Sequence, residues 1–213
     1  MKNRLTALAL ALCLLLTLGA CSQPAPENQE PHTAPESETA PETETAQPEP
    51  EQPEQSAAQS PLASFTAEDL DGDEVTEEVF ADYEVNMINI WGTFCGPCLD
   101  EMPDLGQIAK DYEDEGLQVV GIVGDAIDLM GDGSVLEDVV IEAQNLVEET
   151  GADYLHIVPT GELFPNLMTQ IYAFPTTIFV DSEGNIIGDI VLGARSKDQW
   201  ISIIDQLLEQ VEA

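Results

Sequence analysis

Hydrophobic positions along this chain fall into blocks, and the spacing within each block points to an element. Leu5 to Leu18 is an apolar run behind Lys2 and Arg4. It is too short for an ordinary membrane span and matches the apolar region of an export signal. Residues 22–60 show no apolar periodicity; they hold eight prolines and nine glutamates, and no Lys, Arg or aromatic residue. Such a stretch cannot bury enough apolar surface to offset the entropy of ordering, so it is expected to be a disordered tether. In polyproline II, at about 3.1 Å per residue, it would reach at most about 120 Å. His32 stands alone within it and is read as solvent-exposed.

From residue 61 the pattern becomes that of a packed domain. Ser64–Ala67 reads as a short strand, Asp71-Gly72-Asp73 as a turn and Glu74-Val75 as the returning strand. Val85–Trp91 and Leu117–Val123 are short, β-branched apolar runs, the pattern of strands buried on both faces. Between them a helix is expected from Gly96 to Glu113, kinked by Pro103. Leu136–Thr150 carries helical spacing and stops at Gly151. His156–Pro159 reads as a short strand, and Glu162–Ile171 as a short helix interrupted near Pro165. Thr176–Asp181 and Asn185–Val191 form a hairpin around Ser182-Glu183-Gly184. Trp200–Val211 is a last amphipathic helix. Strands separated by helices pair in parallel and the hairpin adds antiparallel strands, so the expected fold is α/β with a mixed central sheet flanked by helices. The expected boundaries are a signal at 1–20, Cys21 plus tether at 21–60, and one domain at 61–213.

Charge narrows the partners. The chain has 213 residues, 42 Asp+Glu and 5 Lys+Arg, a net charge of −37. Residues 61–213 alone hold 33 acids and 3 bases. Such a surface repels phosphate, which excludes nucleic acid as a natural partner and disfavours a peripheral grip on anionic lipid.

The four cysteines are not four of a kind. Cys13 lies in the apolar run and would leave with it. Cys21 follows Leu18-Gly19-Ala20. Cys95 and Cys98 stand in Cys95-Gly96-Pro97-Cys98, after a buried strand and at the opening of a helix. A sulfur at a helix N-terminus meets unpaired amides and the positive end of the dipole, which favour its thiolate. A thiolate attacks a disulfide, and a second thiol three residues on can resolve the mixed disulfide. Pro97 sits in the first turn, where its missing N–H costs nothing. Zinc is the competing use of such a pair, but structural zinc wants four ligands, and His156 is the domain's one histidine. A purely structural disulfide closing so short a loop would constrain the unfolded chain little. Asp125, Asp128 and Asp132 with Gly131 and Gly133 suggest a calcium loop only superficially, because the spacing fails the Asp-x-Asp-x-Asp-Gly pattern. No metal site is expected.

Two resemblances extend this reading. Leu18-Gly19-Ala20-Cys21 resembles the lipobox of bacterial lipoproteins. That implies cleavage before Cys21 and a diacylglycerol thioether on it; an ordinary cleavage site followed by an incidental Cys is the plainer alternative. Two acyl chains give stable anchoring where one does not. Trp91-Gly92-Thr93-Phe94-Cys95-Gly96-Pro97-Cys98 with Glu101-Met102-Pro103, and Phe174-Pro175-Thr176-Thr177, resemble the TlpA/ResA-like membrane-anchored thiol–disulfide oxidoreductases of the thioredoxin superfamily. The resemblance spans residues 62–211. It implies a thioredoxin-like fold with an extra N-terminal hairpin and a central helical insertion over about residues 124–152. It implies catalytic roles for Cys95, Cys98, Glu101 as proton carrier for Cys98, and Pro175 as the cis-proline beside the sulfurs. Substrate contacts are implied at Trp91, Phe94, Gly96, Pro97 and Phe174. Asn89 occupies the place where plain thioredoxins keep a buried Asp, which argues that the proton carrier has moved to Glu101. Phe94 departs from the tryptophan common before the first Cys, and Gly96-Pro97 is the plain-thioredoxin dipeptide.

The function so implied is an extracytoplasmic enzyme with no cofactor beyond the Cys95–Cys98 disulfide. It would take electrons from a membrane-embedded thiol donor and reduce disulfides in exported clients. The implied clients are the haem-binding Cys-x-x-Cys-His of an apocytochrome c or a methionine-sulfoxide-repair enzyme. A monomer is implied. Acidic neighbours (Asp100, Glu101, Asp104) oppose a thiolate, which favours the reducing direction. The alternatives are a disulfide-forming oxidant and a copper-chaperone-like module using His156. A peroxidase needs Thr-x-x-Cys with an Arg beside it, and Arg195 stands far along the chain.

Overall fold

The computed structural model describes residues 60–211. The signal, Cys13, the Cys21 anchor, His32 and all of the tether before residue 60 lie outside the described residues. Seven strands form one mixed sheet, ordered β2-β1-β5-β4-β3-β6-β7. They are β1 Thr66–Asp69, β2 Glu74–Thr76, β3 Val85–Trp91, β4 Leu117–Val123, β5 Leu155–Val158, β6 Thr176–Val180 and β7 Ile186–Leu192. The helices are α1 Gly96–Tyr112, α2 Glu137–Thr150, α3 Leu163–Asn166 and α4 Lys197–Val211. Strands β3, β4 and β5 run parallel, joined by α1 and α2; β6 returns antiparallel to β3, and β7 to β6. Among the described residues no helix is long and apolar enough to cross a membrane.

The two strands read as doubly buried, β3 and β4, occupy the sheet's middle and keep the bounds their hydrophobic runs set. On one face Val85, Met87, Leu117 and Val119 pack with Leu105 and Ile108 of α1 and with Trp200, Ile204 and Leu207 of α4. On the other, Ile88, Ile90, Val120 and Ile122 pack with Leu62, Phe65 and Phe80 and with Leu163 and Met168. Alternation along a strand then puts Asn89 and Trp91 on the same face as Val85 and Met87.

Four expectations shift. The first strand begins at Thr66, because the Phe65 N–H donates to Glu77 Oε2 instead of a ladder partner (3.1 Å). Helix α4 starts at Lys197, three residues before the apolar spacing does. Ser196 N–H and Oγ both bond Gln199 Oε1 (3.0 and 3.2 Å), a variant of the Ser-x-x-Gln capping box. Pro165 does not interrupt its helix. It lies in the first turn of α3, where a missing N–H is harmless, and the break falls at Leu167. Helix α1 ends at Tyr112, and Glu113–Glu115 tighten into a 3-10 turn before Gly116, whose φ of +84° favours glycine. Pro103 sits inside α1 as expected.

Candidate active site

The end of β3 delivers the chain into a turn. Cys95 N–H donates to the Gly92 carbonyl (3.0 Å), so Gly92-Thr93-Phe94-Cys95 forms a four-residue turn with α1 opening behind it. Cys95 is the N-cap of α1, and its Sγ accepts from Cys98 N–H at 3.3 Å. Cys95 and Cys98 are joined as a disulfide. Cys98 is fully buried, while Cys95 keeps 6% of its surface exposed. Cys95 is thus the sulfur that an outside thiol or disulfide can reach.

The second motif lies beside this turn. The Phe174–Pro175 peptide is cis. Pro175 is buried, and its carbonyl accepts from Gly193 N–H at 2.8 Å, which ties the loop to the end of β7. The Phe174 ring meets the Phe94 ring with centroids 6.0 Å apart. Phe94 is 74% exposed. Gly96 and Pro97 are also exposed, and Phe174 is half-buried. A side chain at Gly92 or Gly124 would press on the Phe174 ring, so glycine at both positions lets the two loops meet.

Trp91 is where the sequence-based expectation fails. It was expected to touch substrate, yet it is fully buried on the inward face of β3. Its indole N–H donates to His156 Nδ1 at 3.2 Å. A residue with no accessible surface and a satisfied N–H supports the motif from beneath and contacts no client in this state. His156 Nε2 pairs with the Ala152 carbonyl at 3.0 Å, which fixes the neutral tautomer with its proton on Nε2. Burial pushes its pKa down to about 4. Both ring nitrogens are engaged, so neither is available to a metal ion, and the copper-binding alternative loses its ligand.

Beneath α1 the sheet carries a polar row. Register places His156, Gly121, Asn89 and Thr177 side by side across β5, β4, β3 and β6. Glu101, one helical turn after Cys98, points into this row and is only 3% exposed. Its Oε1 accepts from Asn89 Nδ2 (3.1 Å). Its Oε2 accepts from Arg195 N–H (3.0 Å) and Trp200 Nε1 (3.2 Å). Burial raises the carboxyl pKa above its usual value; the bonds from Arg195, Asn89 and Trp200 and the Arg195 charge only partly oppose that. Glu101 is therefore no ordinary first-turn surface acid.

The sequence pointed to Glu101 but missed what holds it. Arg195 serves through its backbone N–H, while its guanidinium donates to the Gly193 and Ala194 carbonyls (both 3.0 Å). Trp200 reads in sequence as a plain core residue. No local spacing links either to a carboxylate more than ninety residues away. The acidic loop also resolves differently from its calcium-like look. Asp128 and Asp132 take their own loop's N–H groups, from Met130 and Ser134. Asp125 instead reaches Thr93 in the Cys95 turn.

A buried pair of cysteines, one sulfur just accessible at a helix N-terminus and the other covered, suits exchange with a second disulfide. That makes the molecule a thioredoxin-like thiol–disulfide oxidoreductase. The comparisons agree and supply the family. The chain belongs to the AhpC/TSA family, which it matches over residues 58–188. It is 26% identical over 137 residues to the thiol–disulfide oxidoreductase ResA of Bacillus cereus, covering 64% of this chain and 70% of that one. Among solved structures it resembles a thioredoxin-family thiol:disulfide interchange protein from Chlorobium tepidum, at a TM-score of 0.55 and 25% identity, covering 71% of this chain and 98% of the other. It also shares its fold with DsbF of Mycobacterium tuberculosis, at a TM-score of 0.53 and 23% identity, covering 69% and 97%.

Proposed function

We propose that the protein works outside the cytoplasm, held to the membrane by a lipidated Cys21, and reduces disulfides in exported client proteins. The observation that carries the direction is the acidity of the site: Glu101 is buried one helical turn from Cys98, with Asp100 and Asp104 beside it in α1. Like charge disfavours a second anion, so the reduced pair is the less stable partner and gives up its electrons readily. A M. tuberculosis neighbour of this fold is described as a secreted disulfide oxidoreductase.

In the proposed cycle the Cys95 thiolate attacks the client disulfide. An S–S bond forms between Cys95 and the client, and the client's other sulfur leaves as a thiolate. Cys98 passes its proton to Glu101 and attacks Cys95, releasing the second client sulfur and restoring the Cys95–Cys98 disulfide. Two electrons have moved to the client. A membrane thiol donor re-reduces the pair by the same exchange in reverse. Exposed Phe94, Gly96 and Pro97, with the Phe174–Pro175 loop, offer the client an uncharged surface. The haem-binding cysteines of an apocytochrome c are one client this surface would accept.

The test is the equilibrium reduction potential of the full chain, titrated against defined thiol–disulfide buffers. A value near about −270 mV, like that of thioredoxin, supports the reductase; one near about −120 mV overturns it in favour of a disulfide-forming oxidant.

A further inference from the structure

Asp125 follows β4, thirty residues beyond Cys95 in sequence, yet its carboxylate closes on the turn that carries Cys95. Thr93 N–H lies 3.0 Å from Oδ1 and 2.9 Å from Oδ2, and Thr93 Oγ1 donates to Oδ2 at 2.7 Å. Thr93 is the second residue of the Gly92–Cys95 turn, whose closing bond is the one from Cys95 N–H to Gly92. Three contacts to one residue fix the turn to the end of β4 more firmly than its single closing bond could. Thr93 is 8% exposed and Asp125 half-buried, so these bonds are only partly screened by water.

The clamp also brings charge. It sets a carboxylate on the same short turn as the accessible sulfur. The helix N-terminus stabilises the Cys95 thiolate, and Asp125 acts against it. The oxidised pair has no charge to oppose. A fixed anion therefore penalises only the reduced form.

We propose that Asp125 is a positioning residue of the dithiol that also lowers its reduction potential, pinning the Cys95 turn through Thr93 while opposing the thiolate. The balance is that of ordinary exchange: a reference dithiol gives two electrons and its protons, the Cys95–Cys98 bond breaks, and a reference disulfide forms. The proposal rests on the oxidoreductase identity and not on the direction proposed above. It concerns a change between variants and holds whichever absolute potential is found.

The test compares the full chain with D125N and T93V, each titrated against a dithiothreitol or glutathione couple and melted in the oxidised state. D125N removes the charge but keeps an oxygen that can accept from Thr93 N–H. T93V removes the hydroxyl bond and leaves the charge. The expected result is that D125N shifts the exchange equilibrium toward the reduced enzyme by about three- to tenfold, a rise of about 15–30 mV for a two-electron couple. T93V is expected to hold the potential while lowering the melting temperature. An unchanged potential in D125N, or an equal rise in T93V, would overturn the charge-setting role and leave Asp125 as a structural tie alone. A D125N chain that fails to fold would be replaced by D125E, which keeps the charge and is expected to keep the wild-type potential; a rise in D125E overturns the proposal.

Discussion

Asn89 Nδ2 donates to Glu101 Oε1 at 3.1 Å, joining the central strand to the dithiol helix through a fully buried amide. The same amide donates to Thr177 Oγ1 at 3.1 Å, one strand over. Asn89 thus relates three elements that meet under Cys98: β3, α1 and the strand that follows the cis-proline. Donors alone surround Glu101 and favour its carboxylate, while burial raises its pKa, so the site holds a dry base that can still take a proton.

The first prediction concerns that proton. E101Q removes the base but not the shape. The Asn89 amide can turn its unpaired oxygen toward the new side-chain N–H₂. Resolution of a mixed disulfide on Cys95 should slow by about 10²-fold, the ordinary worth of a positioned acid–base group. The wild-type rate should rise with pH through the raised Glu101 pKa, and the E101Q profile should lose that rise. Stopped-flow release of a chromophoric thiol from the mixed disulfide checks both.

Stability should carry the same signature with the opposite sign. A carboxyl whose folded pKa is raised favours the folded state below its unfolded pKa, and that contribution is lost as pH rises through the folded value. E101Q cannot ionise. Its stability relative to wild type should therefore increase as pH rises above the ordinary carboxyl value of about 4, measured by paired urea titrations. A flat difference would show that Glu101 stays charged in both states.

His156 predicts the reverse slope. Its pKa falls from 6.5 to about 4 on burial. The unfolded chain then binds more protons between those values, so stability is present above about pH 6.5 and drains as pH falls toward about 4. The loss should reach about 3 kcal/mol, the free-energy equivalent of that depression. H156Q retains an acceptor for Trp91 and a donor for Ala152 and should lack this acid-side loss, again by urea titration.

Gly121 should tolerate nothing larger. A Cβ there would overlap the His156 ring lying across β4. G121A should cost about 1–3 kcal/mol as an overpacked core, and should break the Trp91–His156 bond as the ring moves. Calorimetry gives the first effect. A shift of the buried indole N–H resonance gives the second.

Trp200 completes the set. W200F keeps an aromatic ring near Phe179, though a smaller one, and deletes one of Glu101's three donors. The Glu101 pKa should rise further, and the domain should lose about 1.5–3 kcal/mol from the missing bond to a buried charged group, with the lost ring volume adding to that. The pH profile of mixed-disulfide resolution should move to higher pH with it. An unmoved profile would show that the Trp200 bond does not tune the carboxyl.

The sequence by itself determined the frame. Runs such as Val85–Trp91 and Leu117–Val123 are too apolar for a half-exposed element, so their bounds in the sheet follow from burial alone. Cys95 and Cys98, three apart at a helix start, and Pro97 in the first turn are local chemistry, legible without a fold. Even the Ser196–Gln199 cap was available as a four-residue signal, although apolar spacing alone places the start of α4 too late. Other features could only be decided in three dimensions. Trp91 belongs to the same motif as Phe94, yet β3 turns one inward and the turn throws the other into solvent. Asp125 reads in sequence as one acid among several in a loop, and only the end of β4 sets it against Thr93. Glu101 became a buried acid because Arg195 and Trp200, from the far end of the chain, close over it. These pairings are separated by about thirty to a hundred residues, and a pattern of neighbours carries no record of them. The packing of helices on the sheet decides which distant polar groups share a dry space, and that decided what this site can do.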